Sequence, residues 1–340
     1  MKHLFPTLSS ICTAACILLS ASCSSGSKVQ QKSIAVFVPG IISDSPVYSM
    51  LSDGVKAAAD EFNSGKAEAD KVPVTVLEAG TNQAEWGAKL TALAASAKYS
   101  LIISSNPSMP EIISPISKKF PQQKFIMLDA FAEGNQNMAT VRYNQREQSY
   151  LSGYISALMS KTHKIGLIAA QQYPVMDNVI LPGYKEGADA AVAGTSVDYR
   201  IVGNWYDASK GAELAKAMAG TGVDVILPIC GGASQGVISA AKELGFYISW
   251  FDNNGFTKAP GCVISSTVMQ QAKMAQEAVS DYLNGKTAWG TARTVGIKEG
   301  YIEFIQDDPL YISTVPQNVR SKVAAVVDSL KKGTQSLPQQ

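Results

Sequence analysis

The groups able to do chemistry in this 340-residue chain are carboxylates and aromatic rings. Only two histidines occur, His3 and His163, so zinc sites and His-based nucleophilic triads lack their parts. Asp129 and Asp252 each close a short apolar run, Phe125-Ile-Met-Leu128 and Tyr247-Ile-Ser-Trp-Phe251. A carboxylate at a strand end can accept hydrogen bonds from sugar hydroxyls or a ring N–H, and from spacing alone helix capping is an equal alternative. The same pair are nominal acid/base candidates for a glycoside hydrolase. Trp205 and Tyr206 precede Asp207, a helix N-cap type, so one ring can stack on a flat heterocycle or pack between lobes. Gly231 and Gly232 permit either close approach to a ligand or an ordinary strand-to-helix turn. Asn284-Gly-Lys-Thr287 lacks the upstream glycine of a phosphate loop and ends a helix, which excludes that reading.

These groups need a scaffold, and the pattern supplies one after an export segment. Lys2, an apolar stretch from Ile11 to Leu19 and the small residues Ser20, Ala21 and Ser22 read as a signal peptide over 1–22. Cys23 comes directly after and is the expected lipidation site, with a polar tether over 23–32. The expectation is an exported protein, lipid-anchored to a membrane at the periplasmic face of the inner membrane. No later apolar run reaches the ~20 residues a membrane helix needs. Of the other cysteines, Cys12 and Cys16 lie in the signal segment, and Cys230 and Cys262 are expected as separate buried thiols, with a disulfide between them as the alternative. The formal charge of +1 shows no concentrated basic surface, which argues against nucleic acid as a partner.

From residue 33 onward, β-branched runs alternate with amphipathic stretches, the grammar of parallel α/β folds. Strands are expected at 34–38, 72–77, 101–103, 124–128 and 138–142, with helices at 47–62, 84–97 and 110–119. A helix over 147–160 leads to a second series: strands at 165–168, 197–202, 223–227 and 247–251, with helices at 178–193, 207–219 and 234–244. In open parallel sheets, ligands sit beyond the carboxyl ends of the strands. Those ends carry the loop from Pro39 to Tyr48, Ser104-Ser-Asn106, Asp129-Ala-Phe131, Asn204-Trp-Tyr-Asp207, Cys230-Gly-Gly232 and Asp252-Asn253.

The segments Tyr143-Asn-Gln-Arg-Glu-Gln-Ser-Tyr-Leu-Ser-Gly153, Pro182-Gly-Tyr-Lys-Glu-Gly187, Asp207-Ala-Ser-Lys-Gly211 and Gly231-Gly-Ala-Ser-Gln-Gly236, together with Phe125-Ile-Met-Leu-Asp-Ala130, resemble the basic membrane protein family. These are lipoprotein receptors of ABC importers, best known for purine nucleosides, and the resemblance spans roughly residues 33–310. It implies a bilobed fold of the type I periplasmic binding proteins, two doubly wound parallel-sheet domains joined by a hinge. It places the first lobe at 33–145 plus about 252–288, and the second at 146–251 plus about 289–334. It also implies a monomer with ABC permease and ATPase partners, no enzymatic activity and no cofactor.

Carried over by position, the family's stacking aromatic falls on Trp205, its ribose-side aspartates on Asp129 and Asp252, and its glycine turn on Gly231 and Gly232. Tyr48 stands where nucleoside receptors carry asparagine, and Gln270 where they carry a ligand-binding lysine. The pattern is most similar to the riboflavin-binding spirochaetal lipoproteins of this family. It implies stacking by Tyr48 and Trp205, and polar contacts from Asn106, Asp129, Asp252, Asn253 and Gln270. A purine nucleoside is the alternative ligand, and a signalling receptor or a hydrolase the alternative class.

Overall fold

In the computed structural model, residues 32–338 are described. The expected signal peptide, Cys23 and the tether up to residue 31 lie outside the described residues. Short apolar runs form β1 (Ile34–Val38), β2 (Val74–Glu78), β3 (Leu101–Ser105), β4 (Lys124–Leu128) and β5 (Met138–Tyr143). Helices α1 (Pro46–Asn63), α2 (Gln83–Ala95) and α3 (Met109–Lys119) connect them, and the strand pairs are parallel. Alternate residues of each strand feed opposite faces, so both sides of the sheet are covered. Phe37, Ile102 and Met127 pack with Trp86, Leu90 and Ile113 of α2 and α3. Val36, Ile103 and Leu128 face the other layer with Leu51 and Val55 of α1.

Helix α4 (Gln145–Met159) then carries the chain into a second sheet of the same design. It contains β6 (Lys164–Ala169), β7 (Ser196–Ile201), β8 (Val225–Ile229), β9 (Tyr247–Asp252) and β10 (Val263–Met269), with helices α5 (Leu181–Ala191), α6 (Ala208–Gly220) and α7 (Ser234–Leu244). A short π-helical turn, Met176–Ile180, leads into α5. After β10 come α8 (Gln271–Leu283), β11 (Ala292–Val295), β12 (Ile302–Phe304), α9 (Pro309–Thr314) and α10 (Gln317–Lys332). The sheet orders are β11-β5-β4-β3-β1-β2 and β12-β10-β9-β8-β6-β7, so β4 and β9 hold equivalent third places. All pairs are parallel except β12, which runs antiparallel to β10 at the second sheet's edge.

These orders correct the expected lobe boundaries. Residues 252–288 do not all return to the first lobe: β10 pairs with β9 in the second sheet, and only α8 returns, against α1. Residues 289–334 are not all in the second lobe, because β11 pairs with β5 in the first sheet. The physical reason is that β10 is buried along its whole length, and a strand buried on both faces carries no mark of the sheet that will take it. The chain therefore crosses between lobes at β5–α4, β10–α8 and β11–β12.

Helices α4 and α5 touch through their backbones. A Cβ on Gly153 would collide with the Tyr184 carbonyl, and one on Gly187 with the Tyr150 carbonyl. The glycines of Tyr-Leu-Ser-Gly153 and Pro182-Gly-Tyr-Lys-Glu-Gly187 are thus packing residues.

Candidate ligand site between the lobes

The first-lobe wall starts at the end of β1. The Tyr48 ring lies over Gly40, where an added Cβ would come within 2.8 Å of it, and its hydroxyl donates to the Pro39 carbonyl at 3.0 Å. Burial pushes the Tyr48 phenol up to about 12; a hydrogen bond with Asn106 opposes this, and the charge of Asp129 adds to it. Asn106 also accepts from the Ser108 amide at 2.9 Å, ordering the turn into α3.

Asp129 comes after β4 with φ of 50°, and Asp252 ends β9 with φ of 72°. Left-handed backbone outside glycine is uncommon, and aspartate is among the residues that tolerate it. Both occur at equivalent strand ends, one in each lobe. Gln145 Nε2 donates to Asp129 Oδ1 at 3.0 Å, and Gln148 Nε2 to Asp252 Oδ1 at 3.2 Å. Burial raises the Asp129 carboxyl to about 8, and the charge of Asp252 contributes. Burial raises Asp252 to about 6 against the lowering hydrogen bond from Gln148. The charge of Asp252 disfavours ionisation of Asp129, so the two titrations are linked.

The second-lobe wall is aromatic. Tyr173, in the loop after β6, and Trp205 have ring centroids 6.1 Å apart at 43°. Burial raises the Tyr173 phenol, and the charges of Asp252 and Asp129 add to this. Trp205 keeps 37% of its surface exposed. Its loop is fixed by Asn204 Oδ1, which accepts from the amides of Tyr206 at 3.0 Å and Asp207 at 2.8 Å. Asp207 is the expected N-cap of α6, accepting from the Lys210 amide at 2.9 Å.

Tyr48, Asn106, Asp129, Asp252, Tyr173 and Trp205 therefore form one connected series crossing from lobe to lobe. None carries a positive charge. The other residues of the expected set engage protein groups. Gly231, at φ of 56°, sits beneath Trp205, where a Cβ would lie 2.8 Å from the Trp205 carbonyl and 3.4 Å from its ring. It seats the aromatic loop, and Gly232 packs against the same loop. Asn253 Oδ1 accepts from Trp250 Nε1 at 2.7 Å. Gln270 Nε2 donates to Glu303 at 2.5 Å, in a groove of about 410 Å³ lined by Met50, Asn253, Val268, Glu303 and Asp307. The sequence-based set lacks Tyr173, Gln145 and Gln148. The strand-end rule, applied to the loop after β6, finds Tyr173; the glutamines lie within the segment 143–153 that carries the family resemblance, which assigns them no role.

Among the described residues no group of His, Cys, Asp and Glu could hold a metal ion, and no helix is long and apolar enough to cross a membrane. Cys230 and Cys262 are both free thiols; Cys230 is buried, which raises it to about 11, whereas Cys262, expected to be buried, is only half-buried.

Residues 31–332 match the family described as "ABC transporter substrate-binding protein PnrA-like". The chain is 25% identical over 316 residues to "Basic membrane protein A" of Borreliella afzelii, covering 91% of this chain and 94% of that one. It is 27% identical over 228 residues to the "ABC transporter nucleoside-binding protein BmpA" of Lactococcus lactis subsp. cremoris, covering 62% of this chain and 64% of that protein, under two thirds of its length. An ABC transporter solute-binding protein from Aeropyrum pernix superposes with a TM-score of 0.78 at 20% identity, covering 91% of this chain and 94% of the other; that likeness concerns the fold.

Proposed function

The chain belongs to the PnrA-like family of ABC-transporter substrate-binding proteins, and from that premise we propose that it captures riboflavin between its lobes and delivers it, unaltered, to an ABC permease. The observation that carries this reading is the series of rings and charge-suppressed carboxyls spanning the two lobes. Tyr48 belongs to one wall, Tyr173 and Trp205 to the other, and Asp129 and Asp252 lie between. A flat ring gains about 0.5 to 1.5 kcal/mol per aromatic partner beyond area burial. Three tyrosine and tryptophan faces favour an extended ring system such as isoalloxazine. The two carboxyls suit the hydroxyls of a ribityl chain, since a protonated acid donates and an ionised one accepts. With two acids and no cation in the series, a phosphorylated ligand such as FMN is disfavoured.

Purine nucleosides are a second reading, supported by the nucleoside-binding name of the Lactococcus relative. The position of Gln270, turned to Glu303, removes one argument that separated the two ligands. Lipid anchoring through Cys23 and the periplasmic location belong to the same proposal and rest on the sequence pattern. Calorimetric titration of the purified protein with riboflavin, FMN, inosine and guanosine tests the reading. Riboflavin is expected to bind with one-to-one stoichiometry and FMN at least tenfold more weakly. Tighter binding of inosine or guanosine transfers the proposal to nucleosides, and a cleaved product on prolonged incubation replaces it with a hydrolase.

A further inference from the structure

The two aspartates meet through one helix, and Asp129 is not held by its own lobe alone. Gln145 and Gln148 lie three residues apart on the first turn of α4, a spacing that puts them on one helix face. Both are buried, at 6% and 0% exposure, which is unusual for neutral amides unless they are paired. Gln148 Nε2 is shared between Asp252 and the Thr267 carbonyl at 3.0 Å, and the Thr267 hydroxyl meets Ser152 Oγ at 3.2 Å. Gln145 Nε2 also lies 3.8 Å from Met269 Sδ. Both amides are therefore tied to β10 while reaching the acids. Helix α4 packs on the second sheet, so the bond from Gln145 to Asp129 spans the lobes. The Gln148 carbonyl oxygen has no protein partner.

We propose that Gln145 and Gln148 are positioning residues that hold Asp129 and Asp252, one from each lobe, as a single hydrogen-bonding unit for the hydroxyls of the ligand. This rests on the reading of the cleft as a receptor site for a polyhydroxylated heterocycle. Left-handed backbone recurs at both strand ends, and at each of them the carboxyl accepts from a glutamine of α4. Each amide N–H also favours the ionised form of the acid it meets. The groups that act on the pair electrostatically are the two acids themselves, Tyr48 from α1, Tyr143 from β5 and Tyr173 from the loop after β6. Arg293 of β11 acts on Tyr143. With phenols rather than cations around the pair, the Gln148 amide is the counterweight to burial at Asp252, and the Gln145 amide is the donor placed on Asp129.

The test is a carbon-13 titration of the aspartate carboxyls in the full-length protein without ligand, assigned with Asp129→Asn and Asp252→Asn, beside riboflavin and inosine affinities from pH 5 to 9. Gln148→Met keeps side-chain volume and removes the donor. It is expected to raise the Asp252 midpoint by about one pH unit and to move the pH profile of affinity the same way. Gln145→Met does this to Asp129. Gln148→Asn and Gln145→Asn, which stay polar but fall short of the acids, give the same shifts and serve if the Met variants do not fold. Unchanged midpoints in folded variants overturn the proposal. If the wild type binds neither riboflavin nor inosine, the ligand reading falls while the carboxyl titration still decides this one.

Discussion

Replacing Asp129 by Asn should stabilise the fold at neutral pH while weakening ligand binding. Asparagine tolerates the left-handed backbone as aspartate does and still accepts from Gln145, so the change is chiefly one of charge. The carboxyl moves from 3.8 in the unfolded chain to about 8 in the fold. The folded state thus binds the proton more tightly, and its advantage, full below about pH 4, is lost as pH rises through about 8. At pH 7 the loss amounts to about 4 kcal/mol for an isolated group. Partial access to water and proton sharing with Asp252 reduce this by about half, leaving about 2 kcal/mol. For about 300 folded residues, that is a rise in Tm of about 3 °C. Urea unfolding of both proteins at pH 4, 5.5, 7 and 8.5 measures it: the stability difference should grow with pH and vanish near pH 4. An Asp129→Asn protein no more stable than wild type at pH 7, or a difference independent of pH, refutes the argument.

Three other outcomes are expected from the same geometry. Trp205→Ala and Tyr173→Ala should each raise the Kd for the ligand by about tenfold, read by calorimetry, because each removes one face of the aromatic wall. Gly187→Ala, which drives a methyl group into the Tyr150 carbonyl, should destabilise the protein by about 1 to 3 kcal/mol in urea unfolding without changing which ligand binds. Gln270→Ala should leave the Kd within about twofold, since the amide is engaged with Glu303 rather than with the aspartate series.

Much of the fold is legible in one dimension because parallel strands covered on both faces must be continuous apolar runs, as at Phe125-Ile-Met-Leu128, and covering helices must be amphipathic. The crossings are not legible. All seven residues of β10 are buried, and β11 is only four residues long, so neither shows which sheet completes its hydrogen bonding. Within the site, Asp129, Asp252 and Trp205 announce themselves as polar or aromatic residues where strands stop. Gln145 and Gln148 lie in the shared segment 143–153, but a polar residue at a helix start does not show what it meets; their partners lie 16 and 104 residues away. The motif glycines carry a different lesson. Gly153 and Gly187 hold helices together, and Gly231 supports Trp205 from beneath, so a glycine in a shared motif can mark backbone packing as readily as a ligand.

The central claim is that the interlobe cleft takes a neutral, flat, hydroxyl-bearing molecule and returns it unchanged. Incubating the purified protein with riboflavin, isolating the complex and identifying the released molecule by mass spectrometry tests this most directly. One equivalent of intact riboflavin, recovered from wild type and much reduced with Trp205→Ala, is the expected result. No retained flavin, a cleaved product, or equal retention by the Trp205→Ala protein contradicts the account.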